Sequence, residues 1–218
     1  MDRRKKKLRR RRRNRLTAVL LVLMLFFIWL GARNYMNMEG LGLPGSGDGG
    51  RLSACLEDLY SPSAALVDAG TGEKLGAAGG SRRIYPASMT KIMTAVVALE
   101  HGLLEEELEA GEEIKLAVGS SIYLKQGEKM SLQDLLHGLM LRSGNDAAMV
   151  IACELAGDVE TFVGWMNDKA DELGMADSLF RNPSGLDEED GGNLSSPYDM
   201  ALLMRHAMTL PLFRAIVS

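Results

Sequence analysis

The chain has 218 residues, with 25 Lys and Arg against 29 Asp and Glu, three histidines and two cysteines. That length holds one domain with a real core, and two cysteines cannot make a disulfide framework. His101, His137 and His206 show no ligand spacing with one another or with Cys55 and Cys153, which argues against a metal site. The near-neutral sum conceals a division. Residues 1–15 carry 11 of the basic residues and a single acid, Asp2, leaving 14 basic against 28 acidic residues and a net charge of −14 beyond them. Such a body has no electrostatic reason to bind nucleic acid.

The chain opens with a basic segment, residues 1–15. Leu16 to Ala32 follows without a charge and includes Leu-Phe-Phe-Ile-Trp-Leu. Seventeen such residues lie at the short end of what spans a bilayer. The basic flank then marks the cytoplasmic side, so everything after Ala32 is expected outside the cell membrane. Leu30 before Gly31-Ala32 makes a poor A-x-A-type cleavage site, so residues 16–32 read as an uncleaved transmembrane signal anchor. Residues 33–51 form a glycine-rich flexible linker, and a globular part runs from residue 52 to 218.

Residues 63–68 and 73–78, around Gly70-Thr71-Gly72, predict a β-hairpin. No helix follows at once, so Gly70-x-Gly72 is not a nucleotide loop, and nothing in the chain calls for a cofactor. Tyr85-Pro86-Ala87-Ser88-Met89-Thr90-Lys91 comes next. Pro86 cannot lie inside a helix, so a helix is expected just beyond it. The run from Ile92 to Leu99 is apolar almost all round, as in a helix buried in a core, and Gly102 supplies a stop. Residues three apart on a helix have Cβ atoms about 5–6 Å apart, so Lys91 is within reach of Ser88. A serine hydroxyl needs a base beside it. Burial lowers the pKa of a lysine, and the start of a helix suits a developing oxyanion. The simpler reading is that Ser88 caps the helix and Lys91 lies on its surface.

Glu105, Glu106, Glu107, Glu109, Glu112 and Glu113 read as solvated surface. Residues 113–118 and 121–125 are strand-like. Ser131 with Asp134 fits a capping signature before a helix from Leu132 to Leu141. That helix breaks at Ser143-Gly144-Asn145, and another begins at Asp146. Taken alone, the tripeptide is an ordinary helix junction. Cys153 lies in this helix and reads as a small core residue rather than the partner of a disulfide.

S-M-T-K at 88–91 followed by S-G-N at 143–145 resembles the first two motifs of the penicillin-recognising serine enzymes. Residues 66–73, 84–88, 180–187 (Phe-Arg-Asn-Pro-Ser-Gly-Leu-Asp) and 195–201 (Ser-Ser-Pro-Tyr-Asp-Met-Ala) extend the likeness to the D-alanyl-D-alanine carboxypeptidases of peptidase family S11. The resemblance implies an α+β, β-lactamase/transpeptidase-like fold: a five-stranded antiparallel sheet with helices beside an all-helical subdomain, the active site between them. It implies that Ser88 attacks the carbonyl between the two terminal D-alanines of a peptidoglycan stem peptide and that Lys91 takes its proton. Ser143 relays a proton to the departing D-alanine, and Asn145 holds the acyl chain and the lysine. β-Lactams are the expected inhibitors, as stable acyl-serines.

The family's third motif, K-T-G or a similar triplet on an edge strand, does not occur. The resemblance therefore implies a domain incomplete at its C-terminus, inactive as written, with one side of the core helix uncovered. Three other readings share the scaffold. A class A-like β-lactamase needs a deacylating glutamate, and Glu189 has a suitable spacing to Asn193, but in an acidic, glycine-rich turn. A non-catalytic, membrane-tethered peptidoglycan-binding relative would keep the fold without acylation. A transpeptidase or endopeptidase would differ only in the acceptor.

Overall fold

The computed structural model describes residues 59–79, 82–186 and 191–218. The basic segment, the expected anchor and linker, Cys55 and Glu189 lie outside the described residues. Among them the order is β1 (Ala64–Val67), β2 (Lys74–Ala78), a 3-10 turn (Ala87–Met89), α1 (Thr90–His101), β3 (Glu107–Glu109), a second 3-10 turn (Glu112–Leu116), β4 (Lys129–Ser131), α2 (Leu132–Leu141), α3 (Asn145–Ala156), α4 (Val159–Glu172), α5 (Pro197–Ala207) and α6 (Pro211–Val217).

The hairpin forms as expected. β1 pairs antiparallel with β2, Ala64 opposite Ala78 and Leu66 opposite Gly76. Its turn is held by Asp68, whose Oδ1 accepts from Gly70 N at 3.0 Å and Thr71 N at 2.7 Å, the local bonding that suits Asp to turns. Arg205 of α5 donates to Ala69 O and Gly70 O at 3.0 and 2.7 Å and ties the hairpin to that helix.

α1 is the centre of the molecule. Every residue from Thr90 to Ala98 is buried, and the helix touches α2, α3, α4 and α5. Met93, Ala95 and Val96 are fully enclosed. Burying each large apolar side chain contributes on the order of 1.5–3 kcal/mol. Gly102 is its C-cap, and a Cβ there would stand 2.5 Å from Leu132 Cδ2. The far end of α1 is fastened by Glu100, which forms an ion pair with Lys169 of α4 at 2.8 Å and a hydrogen bond with His206 of α5 at 3.1 Å. His101 stacks on Trp165, ring centroids 4.2 Å apart. α2 spans the expected residues, with Ser131 Oγ accepting from Asp134 N at 3.1 Å.

Five expectations need correction. The described residues do not form a five-stranded sheet; they form two separate two-stranded ones, and β3 pairs with β4. Residues 113–118 are not a strand: Glu112–Leu116 is a 3-10 turn packed on α3, because Ile114 turns inward onto the core while Leu116 stays exposed. Residues 121–125 have no strand partner, since their backbone N–H groups are taken by side chains instead. Nor is one side of the core helix uncovered, because neighbouring helices close around residues 90–98. Cys153 is free and half-buried rather than fully in the core. Among the described residues no single helix is long and apolar enough to cross a membrane.

Candidate active site

Pro86 starts a 3-10 turn, Met89 N donating back to Pro86 O at 3.1 Å, and α1 continues from it. Ser88 is therefore presented on an exposed turn just ahead of a buried helix. Ala87 before it has φ of 48°, in the left-handed region. The cause is on the opposite wall. Gly185 packs so close that a Cβ on it would stand 1.9 Å from Ala87 O, and Gly185 itself has φ of +85°. Only glycine admits that contact.

Lys91, three residues on, points into the interior and is 2% exposed. Its Nζ donates to Ser184 O at 2.6 Å. One turn along α1, Thr94 Oγ1 donates to Pro183 O, also at 2.6 Å. Burial of the ammonium lowers the lysine pKa from 10.5 to about 8. Lys91 does not bond Ser88 directly, and the Ser184 carbonyl holds the amine. Catalytic hydrogen bonds often tighten only with substrate present.

The partner that Ser88 does have is Ser143, whose Oγ donates to Ser88 Oγ at 3.1 Å. Ser143 sits at the corner between α2 and α3 with φ of 56°. Asn145 opens α3, 4% exposed, with its N–H on Ser120 O at 2.8 Å and Nδ2 on Val118 O at 2.5 Å. The structure thus brings Ser88 and Ser143 into contact from positions 55 residues apart, with Lys91 one turn beyond Ser88 on α1 and Asn145 at the start of α3.

Two asparagines that sequence reasoning did not offer as site residues build the turn that faces α1. Asn193 Oδ1 accepts from Arg181 N and Asn182 N at 2.7 and 3.0 Å, and its Nδ2 donates to Thr90 Oγ1 at 2.9 Å. Asn182 Oδ1 accepts from Gly185 N at 2.7 Å, and its Nδ2 donates to Leu186 O at 2.7 Å. Together they fold residues 181–186 so that the Pro183 and Ser184 carbonyls face α1. The signal was the Asn-Pro-Ser-Gly block itself, which reads as a turn without saying what it holds. Among the described residues no cluster of His, Cys, Asp or Glu could hold a metal.

A family model for D-alanyl-D-alanine carboxypeptidase matches residues 52–215. The chain belongs to that family. It is 39% identical over 166 residues to the D-alanyl-D-alanine carboxypeptidase DacF of Bacillus subtilis, covering 74% of this chain and 42% of that protein. With DacD of Escherichia coli it shares 35% over 159 residues, 68% of this chain and 40% of the relative. A crystal structure of a D-alanyl-D-alanine carboxypeptidase from Mycobacterium tuberculosis superposes with a TM-score of 0.69 at 32% identity, over 72% of this chain and 59% of that one. Penicillin-binding protein 6B from Escherichia coli gives 0.67 at 33%, over 73% and 53%. The family fold is therefore present, in a chain that spans less than half the length of these curated relatives.

Proposed function

We propose that this chain carries the nucleophile half of a serine-type D-Ala-D-Ala carboxypeptidase acting on peptidoglycan stem peptides. The observation that carries this reading is the 3.1 Å contact of Ser143 with Ser88, beside a lysine whose pKa burial has lowered to about 8. At pH 7 roughly one amine in ten is neutral at that pKa. The neutral amine can keep its hydrogen bond to Ser184 O and still offer a lone pair to the Ser88 proton. Ser88 Oγ then bonds to the carbonyl carbon of the penultimate D-alanine, and the oxyanion lies at the start of α1, where the helix dipole favours negative charge. When the C–N bond breaks, the leaving amine takes a proton through Ser143. Asn145 holds the acyl chain in place. Water attacks the acyl-serine and returns Ser88 with release of the shortened peptide.

A β-lactam enters the same first step and stops there. Ser143-Gly144-Asn145, the junction of S-G-N type, supports a peptidase rather than a class A β-lactamase. Residues 16–32 would tether the domain to the outer face of the cell membrane, supported by the charge flank in the sequence.

A fluorescent penicillin tests the reading. With this domain joined to a strand that carries the family's third motif, the adduct should map to Ser88 by peptide mass spectrometry, disappear in Ser88→Ala and Lys91→Ala, and be accompanied by D-alanine release from a pentapeptide. An adduct on another side chain, or none, overturns it.

A further inference from the structure

Asp146 has no place in the reaction above, yet it is among the most heavily bonded side chains near the site. It is 3% exposed. Its Oδ2 accepts from Ser121 Oγ at 2.6 Å and Leu124 N at 3.0 Å. Its Oδ1 accepts from Ile122 N and Ala147 N, both at 3.0 Å. Burial alone would raise its pKa; the hydrogen bonds from Ser121, Leu124, Ile122 and Ala147 outweigh that and hold the carboxyl below its ordinary range. A buried carboxylate with two donors on each oxygen is satisfied as an anion and poorly replaced by anything else.

Three of those four donors belong to one loop, residues 118–124, and the same loop returns two carbonyls to Asn145. Ser120 O accepts from Asn145 N and Val118 O from Asn145 Nδ2. A second set of contacts closes the joint. Ile122 fits a notch made by two glycines: a Cβ on Gly138 would stand 2.8 Å from Ile122 Cδ1, and one on Gly144 3.2 Å from Ile122 Cγ2. Tyr123, at the tip, is held at φ of 65° and is 82% exposed. Left-handed geometry in a bulky residue persists only where its surroundings enforce it, and here both neighbours are bonded to Asp146.

We propose that Asp146 is a positioning residue of the active site: it staples the 118–124 loop to the 143–145 corner and so sets where the Asn145 amide and the Ser143 hydroxyl stand relative to Ser88. The proposal rests on the functional reading for its effect on Ser88, and on the contacts alone for its effect on the loop. Asp146→Asn keeps the shape, but its NH2 group must then face two donors. Ser121→Ala removes only one bond to the carboxylate, together with the acceptor that holds Tyr123 N at 2.8 Å.

The test uses the 218-residue chain and both variants, read by residue-resolved amide exchange and by labelling of Ser88 with a fluorophosphonate and with fluorescent penicillin. In Asp146→Asn the amides of Ile122 and Leu124 and the side-chain amide of Asn145 should exchange at least tenfold faster. Exchange in α1 and α4 should not change. Ser88 labelling should fall at least tenfold, while the pH midpoint of labelling, which belongs to Lys91, stays where it is. Ser121→Ala should move the same readouts less far. Unchanged exchange in the loop overturns the proposal, as does full labelling in a variant whose loop has loosened. Should Asp146→Asn not fold, Ser121→Ala decides by the same criteria. A wild-type chain that neither probe labels is what the missing third motif predicts, and the exchange of Ile122, Leu124 and Asn145 then decides the staple.

Discussion

Replacing Lys91 by methionine should abolish acylation and, at neutral pH, make the protein more stable. Methionine nearly fills the lysine's volume without a charge. The folded state holds the ammonium at a pKa of about 8 against 10.5 when exposed. At about 1.4 kcal/mol per decade, keeping that buried charge at pH 7 costs on the order of 3 kcal/mol. Lys91→Met removes this cost but leaves Ser184 O without its donor, a loss of about 1–2 kcal/mol. The net gain is about 1–2 kcal/mol, or roughly 2–8 °C in Tm for a domain of this size. The sign depends on pH in a defined way. Between pH 8 and 10.5 the unfolded wild-type chain holds a proton on Lys91 that the folded one has shed, so wild-type stability rises through that window. The variant has no such dependence, and by pH 10.5 the order should reverse, with wild type ahead by about 1 kcal/mol. Thermal melts of both proteins from pH 7 to 10.5 measure this directly. A variant less stable at pH 7, or a difference that does not change with pH, would refute the claim that desolvation sets the lysine's proton affinity.

The same amine predicts that the rate of Ser88 acylation climbs about tenfold per pH unit below 8 and levels off above it; a profile flat from pH 6 to 9 speaks against Lys91 as the base. Ser143→Ala should slow acylation by about 10²–10³ while its urea midpoint stays at the wild-type value, since among the described residues the hydroxyl's hydrogen bond is to Ser88. Gly185→Ala places a Cβ 1.9 Å from Ala87 O at a left-handed φ, and should cost at least about 2 kcal/mol in denaturant unfolding as well as most of the acylation rate. Asn193→Ala orphans the N–H groups of Arg181 and Asn182 in a buried loop, at about 1–3 kcal/mol for each left without water, and its Tm should drop more than that of Ser143→Ala.

What sequence made legible was local. Pro86 and the apolar run after it locate α1, Ser131 and Asp134 locate the start of α2, and Gly70-Thr71-Gly72 locates the hairpin, because each rests on one or two neighbouring residues. Ser88, Lys91, Ser143 and Asn145 were visible because their spacing is short within each motif. The strands at 107–109 and 129–131 were not, since three residues carry too little alternation to stand out. Residues 113–118 misled for the opposite reason: Ile114, Leu116 and Val118 alternate like a strand, but the backbone there closes a 3-10 turn over α3. Asp146 and Asn193 do their bonding across distances in the chain that no window reveals; Asn193 to Thr90 alone spans 103 residues, whereas Asn182 bonds within its own turn. Family likeness marked the blocks around the two asparagines without saying which atom holds which.

The proposed nucleophile and its lysine live on opposite sides of a boundary. Ser88 belongs to an exposed turn, Lys91 to a helix with no slack around it. A mutational scan of this region should therefore be lopsided. Under the proposed function, substitutions at Tyr85 and Met89, both solvent-facing, are free to vary and so to retune which antibiotic is accommodated, whereas those at Met93, Thr94 or Val96 are purged for solubility before any drug is encountered. Resistance by altered recognition has room to evolve on one side of that boundary and almost none on the other.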